Sequence, residues 1–110
     1  MTLREKQSIF ASMVADLIHQ AELFGYAVTL GDANRSIQEA TRLGKKNSVH
    51  TKRLAIDLNL FLNGKYLDKT DDHKILGEWW ERQSFGDVKC CWGGRFNDGN
   101  HYSLEHEGVK

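Results

Sequence analysis

Apolar residues recur at Phe10, Met13, Val14, Leu17, Ile18, Ala21 and Phe24, a period near 3.6 that gathers them on one stripe of a helix. Thr2 and Glu5 have the spacing of a capping box ahead of this stripe, and Gly25 is placed to end it. Tyr26 to Leu30 is short, apolar and β-prone, which predicts a strand, with a turn over Gly31 to Asn34. A second capping box, Ser36 with Glu39, opens a second helix that Gly44 can close, and Lys45-Lys46-Asn47 follows as a polar loop. Alternation is clearest from Leu54 to Leu62. Leu54, Ile56, Leu58 and Leu60 fall on one face of a strand; Ala55, Asp57 and Asn59 fall on the other. Asn63-Gly64 suits a tight turn, with Lys65-Tyr66-Leu67 as a return strand. Thr70 or Asp71 can cap a third helix running to about Gln83, its apolar bulk coming from Ile75, Leu76, Trp79 and Trp80. Phe85 to Trp92 contains the last predicted core strand. From Gly93 the chain becomes glycine-rich, polar and aromatic, and no further element is predicted there. This order describes an α+β domain, a small antiparallel β-sheet packed with about three helices.

Composition narrows the class. A chain of 110 residues makes one domain, spanning 1–110, and can bury a modest core without disulfides. Hydrophobic content of 40% and charged content of 27% argue against disorder. Fifteen basic residues balance fifteen acidic ones, so bulk attraction to nucleic acid or membranes is not expected. No segment is long enough to span a bilayer, and no apolar stretch follows MTLREKQ as a secretory signal requires. The expectation is a monomer made in the cytoplasm. Cys90 and Cys91 are adjacent, which opposes disulfide geometry, and they lack metal-binding C-x-x-C spacing. Both are read as reduced thiols.

Candidate chemistry lies among the histidines. His19 and His73 have no evident partner and read as surface or helix-end residues. His50 ends a polar loop seven residues before Asp57, a carboxylate within an otherwise apolar strand. Such an aspartate either faces solvent, as alternation allows, or needs a partner, because an unpaired buried charge is costly. Downstream, Asp98-Gly99-Asn100-His101 follows Trp92-Gly93-Gly94, and glycines let that backbone turn closely around a ligand. A catalytic zinc takes three protein ligands and keeps one position open. His50, Asp57 and His101 supply two imidazoles and a carboxylate, which leaves Asp98 as a general base. His106 is an alternative to His101. Asp68, Asp71 and Asp72 are explained by helix capping and solvation rather than by calcium.

Three segments carry a family resemblance. Ser48-Val49-His50 through Ala55-Ile56-Asp57-Leu58 resembles the first zinc motif of the D-alanyl-D-alanine carboxypeptidase family, which includes phage L-alanyl-D-glutamate endopeptidases. Trp92-Gly93-Gly94, then Asp98-x-x-His101-Tyr102, resembles its second motif, and Arg35 with Gln38 resembles the segment that precedes the first. The resemblance implies a Zn2+ held by His50, Asp57 and His101 in a cleft on the sheet. It implies Asp98 as catalytic acid/base, and Arg35 as a group that polarises the scissile carbonyl or holds a substrate carboxylate. Ser48 is implied as a hydrogen-bonding neighbour of the metal. The activity implied is hydrolysis of the peptidoglycan stem peptide by metal-activated water, as in a phage endolysin that reaches the wall after release from the host cytoplasm. Ser103 departs from the pattern, which often has Glu or Gln at that position.

Overall fold

A computed structural model describes residues 1–31 and 49–110. The predicted second helix, Arg35 and Ser48 lie outside the described residues, as does the predicted turn beyond Gly31. The chain opens with helix α1, Leu3–Leu23. Its capping box is closed in both directions: the Thr2 hydroxyl accepts from the Glu5 N–H at 3.1 Å, and the Glu5 carboxylate accepts from the Thr2 N–H at 3.0 Å. Gly25 adopts φ +96, the left-handed backbone that ends the helix and starts strand β1, Ala27–Leu30.

Strand β2, Ala55–Leu62, is the centre of the fold. Asn63 and Gly64 both have positive φ, as a type I′ hairpin requires, and deliver the chain into β3, Lys65–Leu67. A 3-10 turn, Thr70–His73, leads into helix α2, Lys74–Glu81. The Asp72 carboxylate accepts from the Lys69 N–H at 3.0 Å, which accounts for one of the acidic residues near this helix start. Strand β4, Cys90–Trp92, is followed by a 3-10 turn, Gly93–Phe96, and by strand β5, His101–Leu104. Every pairing is antiparallel, in the order β1-β2-β5-β4 with β3 also on β2. The α+β class therefore stands, with two α-helices among the described residues. None of these helices is long and apolar enough to cross a membrane.

Alternation decides what each sheet face does. Leu54, Ile56, Leu58 and Leu60 are buried, as are Tyr102 and Leu104 of β5, and they join Phe10, Leu17 and Ala21 of α1 with Leu76 and Trp80 of α2 in one core. Trp80 meets Tyr102 edge-on with centroids 6.4 Å apart and Phe10 edge-on at 6.1 Å. Burying each such large side chain contributes roughly 1.5–3 kcal/mol, so this face dominates the stability. Trp80, Trp92 and Tyr102 are all buried in this core.

His73 departs from its sequence reading. It is buried, with Nδ1 2.7 Å from the Tyr102 hydroxyl. Burial pushes its pKa down to about 4, against a weaker pull upward from Asp72. A folded pKa below the unfolded value means the stabilisation is complete above about pH 6.5 and is lost as pH falls toward 4. In zinc-free buffer, urea unfolding is expected to show a loss on the order of 2 kcal/mol between pH 7 and 4.5. His73→Gln should flatten that dependence; an equally steep variant would assign it to other groups.

Candidate metal centre

The cluster is built by strand register. In the β2–β5 ladder Asp57 stands directly opposite His101, Ile56 opposite Tyr102 and Ala55 opposite Ser103. Opposed residues of an antiparallel pair share a face at close Cβ separation. The register that sends Ile56 and Tyr102 into the core therefore places Asp57 beside His101 on the other face. On the β1 side the neighbour of Asp57 is Gly31, whose N–H donates to the Asp57 carbonyl at 2.7 Å. A Cβ at Gly31 would lie 3.1 Å from the Asp57 Cβ, so glycine keeps that flank of the carboxylate clear.

His50 arrives from a 3-10 turn, Val49–Lys52, just before β2. The turn closes as a Schellman motif: the Leu54 N–H donates to the Val49 carbonyl at 3.0 Å and the Arg53 N–H to the His50 carbonyl at 3.3 Å. The Gln7 side chain donates to the Lys52 carbonyl at 2.8 Å, tying the turn to α1. Arg53 takes the left-handed position with φ 58, where glycine is usual. Arg53→Gly is expected to stabilise the fold by about 0.5 kcal/mol in urea unfolding, the relieved backbone strain exceeding the added chain entropy. A loss instead would show that the guanidinium makes contacts worth more than the strain.

These elements bring the donor atoms of His50, Asp57 and His101 within 4.8 Å of one another. Asp57 Oδ1 is 3.3 Å from His50 Nε2 and 3.7 Å from His101 Nδ1. The two imidazoles meet edge to face with centroids 5.2 Å apart. Both histidines are buried and Asp57 is half-buried. Burial by itself would raise the Asp57 carboxyl, but the imidazoles of His101 and His50 outweigh it and hold the group well below the usual carboxylate range. The aspartate is therefore a paired, ionised group and not a solvent-facing one.

The donor set fits a divalent cation. Among the described residues Asp57 Oδ1 and His101 Nε2 are buried without a full hydrogen bond, the imidazoles approaching Oδ1 only to 3.3 and 3.7 Å. Each unsatisfied buried polar atom costs about 1–3 kcal/mol, and a cation shared among the three side chains would offset that cost. Two imidazole nitrogens and one carboxylate oxygen also make the three-ligand set that leaves a position open for chemistry.

The remaining candidates fall into place around this cluster. Asp98 is exposed and outside the donor group, in the turn that enters β5. Its N–H donates to the Gly93 carbonyl at 2.8 Å, and its carbonyl accepts from the His101 N–H at 3.1 Å. A Cβ on Gly93 would come within 2.1 Å of the Asp98 carbonyl oxygen and 2.6 Å of the His101 Cβ, so that position requires glycine. His106 is not a member of the cluster, whereas His101 is; the His106 Nδ1 lies 3.5 Å from Lys6 Nζ. His19 is exposed. Cys90 and Cys91 are free thiols, and burial pushes Cys90 up to about 12, far from a thiolate nucleophile. One feature of the site had no signal in the sequence: the Phe96 ring packs edge-on to His101, centroids 5.5 Å apart.

No protein-family model and no curated protein sequence matches this chain. Fold and site together define a small α+β domain with a buried His-Asp-His cluster able to hold a divalent metal ion, consistent with a metal-dependent enzyme.

Proposed function

We propose that the chain is a zinc-dependent peptidase of the peptidoglycan stem peptide, of the phage endolysin kind, cutting between L-alanine and D-glutamate. The observation that carries this reading is the convergence of His50, Asp57 and His101 in one cluster, with Asp98 anchored by its backbone immediately beside it. Both halves of the motif pair that resembles the D-alanyl-D-alanine carboxypeptidase family thus contribute to a single place, although they are far apart in sequence.

Zinc held by the three side chains would supply Lewis-acid chemistry at neutral pH, acidifying water and polarising a peptide carbonyl. The chain's own residues do the rest. The Asp98 carboxylate, free of the donor cluster, accepts a proton from the attacking water and returns one to the departing amine. Arg35, in the role the motif resemblance gives it, binds the scissile carbonyl or a substrate carboxylate. No covalent intermediate is required. The enzyme acts as a monomer on the wall after release from the host cytoplasm.

The deciding experiment combines metal analysis with digestion. One zinc per chain is expected, with hydrolysis of purified peptidoglycan lost on chelation and restored by zinc. Mass spectrometry should find new L-alanine C-termini and D-glutamate N-termini. Intact stem peptides after treatment with zinc-loaded protein would overturn the peptidase reading. New termini between the D-alanines would make it a carboxypeptidase with the same site.

A further inference from the structure

We propose that Phe96 forms an apolar wall of the substrate site and contacts the side chain beside the bond that is cut. This inference rests on the peptidase reading and adds to it the source of side-chain preference.

Phe96 is 47% exposed while its ring stands against His101, a member of the metal cluster. An aromatic ring left half in water forgoes much of its burial energy, and one edge-to-face contact returns only about 0.5–1.5 kcal/mol. The core does not need this ring, since it belongs to none of the buried apolar cluster.

Its position is nevertheless tightly built. Trp92 is clamped between glycines: a Cβ on Gly77 of α2 or on Gly94 would each come within 2.2 Å of its ring. The Trp92 indole N–H donates to the Gly99 carbonyl at 2.7 Å. Arg95 lies over the same ring at 5.3 Å and makes a paired contact with the Glu81 carboxylate at 3.0 and 2.7 Å. Asn97 then turns the chain with φ 60. A turn braced this way holds Phe96 at the cluster instead of letting it collapse onto the protein.

The neighbouring charge identifies the ligand chemistry. Glu81, helped by Glu78 at 3.8 Å, already satisfies Arg95. The guanidinium beside Phe96 is therefore engaged, and the surface offered next to His101 is a phenyl ring. That surface takes an apolar side chain rather than a carboxylate. On the proposed substrate it is the alanine methyl, while the glutamate carboxylate is bound elsewhere.

The test uses zinc-loaded protein and two synthetic stem peptides, one with L-alanine before D-glutamate and one with glycine there. Wild type is expected to favour alanine about tenfold in kcat/KM. Phe96→Ala should reduce that preference to about twofold or less, chiefly through KM, while keeping one zinc per chain. Phe96→Gln retains bulk without apolar character and is expected to behave the same, which covers an alanine variant that fails to fold. An unchanged alanine-to-glycine ratio in the variants overturns the inference, and so does loss of zinc from both variants, which would make Phe96 only a brace for His101. Wild type that cuts both peptides equally overturns this inference and leaves the peptidase reading standing. Wild type that binds zinc and cuts neither overturns the reading beneath it, and this inference with it.

Discussion

His101→Ala is expected to abolish stoichiometric zinc binding and all hydrolysis. It removes one of three donors, and even an outer hydrogen-bond partner of a metal ligand is commonly worth 10–100-fold in affinity, roughly. A donor itself should be worth more. Two further consequences follow from the geometry. His101 lies directly across the β2–β5 ladder from Asp57, so its loss strips a half-buried carboxylate of one of its two imidazole neighbours. The metal-free variant should thus lose about 1–3 kcal/mol of stability. Zinc at a hundred times its dissociation constant should stabilise wild type by about 2.7 kcal/mol and leave the variant unmoved. Titration calorimetry and thermal melts with and without zinc measure both. His106→Ala is the matched control, because His106 stands outside the cluster beside Lys6. Equal zinc loss in the two variants would mean that the cluster is not the binding site.

Asp98→Asn should separate binding from chemistry. The substitution is nearly isosteric, and the contacts that position residue 98 are made by its backbone, with Gly93 and His101. Metal content and melting temperature should therefore stay at wild-type values. Turnover of the stem peptide should fall by about 10²–10⁴-fold, the usual worth of a general acid–base, because an amide cannot take the proton. Near-native turnover would remove Asp98 from the mechanism. Loss of zinc would make it a ligand and would contradict its exposure outside the donor group.

Much of this was legible in the sequence, for a physical reason. The helix stripe of α1 and the alternation of β2 are long patterns in which many residues agree, so their faces could be assigned residue by residue. Asp57 stood out because it interrupts an apolar strand, though its burial and pairing were not decidable without its cross-strand neighbour. Strand β5 was missed. Its four residues, His101 to Leu104, are all buried, yet they alternate polar and apolar behind a glycine-rich turn. The polar pair reads as loop because nothing local indicates that the second face is also covered. His73 was misread for a similar reason: its partner, Tyr102, is remote in sequence and lies on that same missed strand. Phe96 had no signal at all, since an isolated exposed aromatic acquires meaning only from the ring beside it.

The two-residue period of the β2–β5 ladder has a consequence for how this site can change over time. Substitutions can adjust it gradually, but a one-residue insertion or deletion that shifted β5 against β2 would swap its faces, presenting Tyr102 to Asp57 and driving His101 among the leucines. Metal ligation and core packing would be lost in a single step, with no functional intermediate between the two registers. Length variation should accordingly be tolerated at the exposed β2–β3 hairpin tip, and be lethal to the site between Gly93 and His101. There the glycine-lined turn sets the phase of everything that follows.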